Sequence, residues 1–295
     1  MGKGTIDPRH AKRTMGNHAV KLRQLSGGRR PGARVLAVTS GKGGVGKTNV
    51  VTNLALCLAA AKKRVLLLDA DISLGNLDLV MNIRSRYNIS HVLSGYKQLK
   101  DIIQSGPNGL QVICGASGLD RLAEISEHEQ HRLLRHLAGL QNETDVILVD
   151  TAAGIASSVV SFCLAADQVL VVTTPEAPAM TDAYGMIKVL VRKGYTGPIS
   201  VVVNMAHSVA EGKRTYQRLA DVAGRFLQAD LYYAGTLLKD ERLCRAVRSR
   251  TPVVLAYPKS QLAASFTALA ARLGGLECNR DGDNGFFRRV VGWLS

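Results

Sequence analysis

The stretch SGKGGVGKT, residues 40–48, decides the fold. It follows the apolar run RVLAVT (34–39) and opens a helical pattern over 47–62. From Gly41 to Thr48 it fits the spacing G-x-x-x-x-G-K-[ST] of a phosphate-binding loop. The chemistry explains the residue types. Gly41, Gly43, Gly44 and Gly46, with Lys42 and Val45 between them, let successive backbone N–H groups curve around phosphate oxygens. The helix after the loop adds the partial positive charge of its N-terminus. In such a loop Lys47 reaches the β- and γ-phosphates and the Thr48 hydroxyl ligates Mg²⁺. Lys42 exceeds what the loop requires. It points away from its own phosphates and suits delivery across a dimer interface to a neighbour's nucleotide.

Outward from the loop, apolar runs alternate with helical stretches. RVLLLD, DVILVD, QVLVVTT, ISVVVN and YYAGTLL read as further strands, and VVLAY (253–257) as one more. SFCLAAD reads as a short helix, with longer ones over 127–141, 179–193, 213–228 and 260–273. Runs of Val, Leu and Ile between helices imply a mostly parallel, twisted sheet covered by helices on both faces. The fold class is thus α/β, a single P-loop NTPase domain. The 46% hydrophobic content suffices for its core.

Composition bounds the rest. No apolar run approaches the roughly 20 residues of a spanning helix, and the N-terminus lacks a secretory or myristoylation signal. The five cysteines form no C-x-x-C pair, so no zinc or iron–sulfur signature is present. Four lie in apolar sequence and read as small core residues of a reducing compartment. Net charge is +15, which favours polyanions such as an anionic membrane face or nucleic acid. Residues 1–34 hold nine Lys/Arg against Asp7 and so supply +8. Residues 1–33 read as a flexible basic arm ending in SGGRRPGA, 34–276 as the P-loop NTPase domain, and 277–295 as a linker and tail.

The tail concentrates the sticky side chains, with two of the five phenylalanines and the single tryptophan. Phe286, Phe287, Val290, Val291, Trp293 and Leu294 fall mostly on one helical face, with Arg288 and Arg289 elsewhere. That pattern describes a helix lying in the membrane interface.

KGGVGKT, LLLDADISLGNLD and ILVDTAAGI together resemble the deviant Walker A, switch I and switch II stretches of the MinD/ParA class of ATPases. The resemblance runs from about Arg34 to Leu273. It implies binding of ATP and Mg²⁺, an ATP-dependent homodimer and slow hydrolysis. By position, Lys42 matches the signature lysine. Asp71 matches the acid that orients the attacking water, and Asp150 the acid that holds Mg²⁺ through water. Asn204 resembles the asparagine that reads the adenine edge. Within the class, NHAVKLRQL resembles the DQAxxLR motif of the FlhG (FleN, YlxH) regulators of flagellar number and placement, with Ala19, Leu22 and Arg23 matching. Asn17 and His18 stand where that motif has Asp-Gln. That likeness implies an FlhF-type GTPase, flagellar switch-complex proteins and, in some lineages, a flagellar transcription regulator as partners, at the inner face of the membrane. A MinD-type division-site ATPase is the alternative. A ParA-like DNA-segregation ATPase would suit the charge but not the tail, so no specific nucleic acid is expected.

Overall fold

The computed structural model describes residues 32–71, 76–83, 85–88, 91–92, 94–115 and 139–274. The chain divides between Gly32 and Ala33. The second unit is an α/β domain built on one eight-stranded sheet of order β3-β4-β2-β5-β1-β6-β7-β8. The strands are β1 (Arg34–Ser40), β2 (Val65–Ala70), β3 (Gln104–Ser105), β4 (Gln111–Ile113), β5 (Val146–Ala153), β6 (Gln168–Thr173), β7 (Ile199–Ala206) and β8 (Leu231–Leu238). Every pairing is parallel except β3 with β4 at one edge.

The helices are α1 (Lys47–Ala60), α2 (Leu77–Met81), α3 (Leu99–Ile102), α4 (Ser157–Ala165), α5 (Ala177–Arg192), α6 (Val209–Leu227), α7 (Glu241–Arg248), α8 (Val253–Ala256) and α9 (Gln261–Gly274). They cover both faces, as a parallel sheet needs. Strand side chains alternate between two cores. Val35, Leu66, Ile147 and Val169 pack with Phe162 of α4, Met186 of α5 and Leu219 of α6. Leu36, Leu67, Leu148 and Leu170 pack with Leu54 of α1 and with Phe266 and Leu269 of α9.

Two expectations shift. VVLAY is not a strand: Val253–Ala256 is the helical turn α8, and the Val254 N–H donates to Asn53 Oδ1 of α1 at 3.0 Å. A short apolar run carries no period that separates helix from strand. Helix α6 begins at Val209, four residues before expected, because Ser208 caps it. The Ser208 hydroxyl accepts from the Glu211 N–H at 3.1 Å, and the Glu211 carboxylate accepts from the His207 N–H at 2.6 Å. Of the helix expected over 127–141, only the end falls among the described residues, where 139–143 are helical.

The order β2-β5-β1-β6 matters for the site. It places the carboxyl ends of these strands side by side, and ligands of open α/β sheets gather at such ends. At the opposite, amino edge, Arg34 ties the start of β1 to the end of α9. Its Nη1 donates to the Leu273 carbonyl at 2.7 Å, and its Nη2 donates to Gln168 Oε1. Among the described residues no helix is long and apolar enough to cross a membrane.

Candidate active site

The loop from Gly41 to Gly46 joins β1 to α1. Gly41 passes so close to α5 that a Cβ there would lie 2.0 Å from the Asp182 carbonyl oxygen. Gly44 and Gly46 have φ of 80° and 85°, the left-handed region that glycine tolerates best. A Cβ on Gly46 would also lie 2.5 Å from Asn204 Nδ2. Hydrogen bonds hold this shape. Ser40 Oγ donates to the Lys42 carbonyl at 3.0 Å, Asn204 Nδ2 to the Val45 carbonyl at 2.8 Å, and the Gly154 N–H to the Ser40 carbonyl at 2.8 Å. Thus the loop is pinned by β7 on one side and by the end of β5 on the other.

No side chain caps α1, and its first turn holds no acid. Gly43 and Gly44 are exposed, with no neighbour within 4 Å of a built Cβ. An open, glycine-lined curve leading to a bare positive helix end fits a polyphosphate.

Below the loop, Lys47 Nζ donates to Asp150 Oδ1 at 2.6 Å, with both side chains buried. The Thr48 hydroxyl also bonds this carboxylate. Asp150 stands opposite Asp69 in the β2–β5 register. Burial pushes the Asp150 carboxyl above its usual range, against the charge and hydrogen bond of Lys47, while Asp71 adds to the push. Asp69 is 1% exposed, and its carboxyl is pushed up to about 7, first by burial and then by the charge of Asp150. The backbone N–H groups of Asp71, at 3.1 Å, and of Leu77 pull it back. Asp69, Asp71 and Asp150 thus press on one another's charge near the Lys47 ammonium, although among the described residues no three acids, imidazoles or thiols converge as a metal-binding group. The Thr48 hydroxyl beside the Asp150 carboxylate is the pair of hard oxygen donors that fits a divalent cation such as Mg²⁺, with the phosphates of a bound polyphosphate as further donors.

Lys42 lies on the outer side of the loop, 40% exposed, with Nζ 3.6 Å from Glu176 Oε2. Glu176 is the N-cap of α5, just past the carboxyl end of β6. The sequence reading missed it, although an acid past a strand's carboxyl end was the available signal. Lys42, Lys47, Thr48, Asp71, Asp150 and Asn204 all gather at this one edge. Ala19, Leu22 and Arg23 of the arm lie outside the described residues, as do Phe286–Leu294 of the tail.

Of the cysteines, Cys114 and Cys163 are buried, and burial pushes both thiols up to about 12. Cys57 is half-buried. Cys244 is exposed on α7, so the reading of it as a core residue fails there. Helix α7 carries its apolar side chains on one narrow stripe, and Cys244 falls beside it.

A family model described as "ParA: NUBPL iron-transfer P-loop NTPase" matches residues 32–274. The chain is 40% identical over 256 residues to the antiactivator FleN of Pseudomonas aeruginosa, covering 86% of this chain and 91% of that one. It is 35% identical over 295 residues to the flagellum site-determining protein YlxH of Helicobacter pylori, covering 95% and 100%. Among solved structures, the MinC:MinD cell division complex of Aquifex aeolicus superposes with a TM-score of 0.68 at 28% identity. That match covers 85% of this chain and 99% of the other.

Proposed function

Since the chain belongs to the MinD/ParA family of P-loop ATPases, in its FleN/YlxH branch, we propose that it works as a nucleotide-timed switch. It binds ATP with Mg²⁺, pairs with a second copy, hydrolyses ATP slowly, and through that cycle regulates the number and placement of flagella.

The observation that carries this reading is Lys42. It is a second lysine in the loop, turned outward beside Glu176, while Lys47 is the lysine paired with the buried carboxylate. In the proposed dimer Lys42 neutralises charge on the partner's γ-phosphate, which makes pairing and turnover interdependent. The N–H groups of Gly43, Gly44, Val45 and Gly46 cradle the phosphates. Lys47 exchanges Asp150 for the phosphate oxygens, and Thr48 and Asp150 would hold Mg²⁺. The cation, when bound, would supply positive charge against the charge that develops on the phosphates. Asp71 orients the attacking water. Asn204, whose amide nitrogen holds Val45, presents its oxygen to the adenine edge.

The flanks complete the proposal. Residues 1–33, with Ala19, Leu22 and Arg23, stimulate an FlhF-type GTPase. The segment 277–295 attaches the protein reversibly to an anionic membrane. A flagellar transcription regulator and flagellar switch-complex proteins are the further proposed partners, in keeping with an antiactivator and a flagellum site-determining protein among the relatives. The MinD-type role is favoured by the Aquifex likeness, but its 28% identity stands below the 40% to FleN.

Light scattering with ATP tests the core of this. An Asp71→Ala chain, with hydrolysis blocked, should have the mass of a dimer. Adding Lys42→Ala should return it to a monomer that still binds ATP. An Asp71→Ala chain that stays monomeric at saturating ATP refutes the reading.

A further inference from the structure

A cleft of about 380 Å³ opens between α7 and the turn that leads into α9. Arg242 and Arg245 of α7 line it, with Tyr257, Pro258, Lys259 and Ser260 of the turn. Neither the phosphate loop nor the carboxyl cluster contributes to it. The turn is held in place from several sides. Tyr257 is half-buried against the core that α1 and α9 share, and its N–H donates to the Val253 carbonyl at 2.8 Å. The Ser260 N–H donates to the Tyr257 carbonyl at 3.0 Å, and the buried Ser260 Oγ accepts from the Ala263 N–H at 3.1 Å. A cleft fixed in this way spares a ligand much of the cost of ordering it.

The rim is cationic and the interior is not. Residues 239–259 hold six Lys/Arg against Asp240 and Glu241, a net +4. Arg242, Arg245 and Lys259 are all exposed at the cleft. Arg242 Nε lies 3.8 Å from Asp240 Oδ1, and Arg245 Nη2 lies 3.3 Å from Glu241 Oε2. Exposed pairs of this kind contribute little, so a ligand's carboxylates can replace them. Between the cations the lining is almost wholly apolar surface, the body of Tyr257, Pro258 and the arginine stems.

We infer that this cleft docks an acidic peptide segment of a partner protein. One apolar side chain of the segment enters over Tyr257 and Pro258. Flanking carboxylates meet Arg242, Arg245 and Lys259, the two arginines through their planar guanidinium forks. Both halves of the site are needed to choose this ligand. A phosphate backbone would satisfy the cations and leave the apolar floor uncovered. An uncharged apolar segment would cover the floor and gain nothing from the rim. A peptide that alternates carboxylates with one large apolar residue answers both, and the rim charges set its direction and its encounter rate. The open mouth suits a side chain carried on a passing strand of peptide rather than a small molecule enclosed on all sides.

Fluorescence polarisation of the full chain with fluorescein-labelled peptides tests this. Each peptide is a short run of glutamates around one central leucine, isoleucine, phenylalanine or tryptophan. One control has serine at the centre, and another has lysines in place of the glutamates. Wild type should bind at least one acidic peptide saturably at low salt, and each control should bind at least about tenfold more weakly. A chain with Arg242→Gln and Arg245→Gln should lose about tenfold in affinity, and Lys259→Gln about threefold. Thermal unfolding and ATP turnover should be unchanged in both, because the three side chains are exposed and apart from the nucleotide loop. Saturable binding that neither variant weakens overturns the inference, as does the absence of saturation with every acidic peptide. Duplex DNA, or vesicles of phosphatidylcholine with phosphatidylglycerol, bound through the same arginines while no peptide binds, overturns it in favour of a nucleic acid or a lipid surface.

Discussion

Replacing Asp69 by Asn removes one charge from a cluster that holds too many of one sign. Asp69 sits on β2 opposite Asp150 of β5, and its carboxyl is pushed from 3.8 to about 7. A difference of about 3 units corresponds to about 4 kcal/mol at roughly 1.36 kcal/mol per unit. That is an upper bound, because Asp150 relaxes together with Asp69. The sign follows from proton counts. Below about pH 4 the carboxyl is protonated in both folded and unfolded chains and contributes nothing. Between about pH 4 and 7 the unfolded chain gives up its proton first, so stability falls as pH rises. Above about pH 7 the penalty is fully present.

An Asp69→Asn chain is neutral there at every pH. It should exceed wild type by about 2–4 kcal/mol at pH 8, with the gain shrinking to near zero at about pH 4. Urea unfolding at the two pH values, in chelator and without nucleotide, measures this. The same carboxyl would release its proton when a divalent cation binds beside it. If the Asn chain and wild type lose stability in parallel from about pH 4 to 8, Asp69 ionises in the folded protein without cost and the reasoning fails.

Two further substitutions test the frame of the loop. Gly41→Ala drives a methyl group into the main chain of Asp182, which cannot swing aside, so a loss of about 2–3 kcal/mol and weaker binding of a fluorescent ATP analogue are expected; thermal unfolding and titration check both. Asn204→Ala removes the donor to the buried Val45 carbonyl and should cost about 1–3 kcal/mol by urea unfolding, together with ATP affinity. Asn204→Asp, which sets an acceptor against that carbonyl, should not rescue it.

The phosphate loop was legible because its glycines answer to backbone geometry, which leaves a local trace in sequence. The central strands were legible because burial on both faces leaves unbroken Val, Leu and Ile. What stayed hidden depends on partners far along the chain. The pressure on Asp69 comes from the register that sets it against Asp150, and nothing near residue 69 announces it. Glu176 meets Lys42 only because β6 lies next to β1. Asn204 drew notice only as the residue that closes an apolar run, and its bond to Val45 appears only when β7 is folded beside the loop. The run at 253–257 misled because four buried-looking residues suit a helical turn as well as a strand. The two-residue edge strand β3 left no pattern to read.

The bond from Arg34 to Leu273 joins residues 239 positions apart. A ribosome makes β1 among the first elements of the domain, yet the acceptor for its opening side chain comes last. Contacts of such long range pay their loop-closure entropy late and slow the search for the fold. During synthesis the amino edge therefore stays open until α9 has left the exit tunnel. The domain locks only when that helix, the last of its described elements, is free to dock.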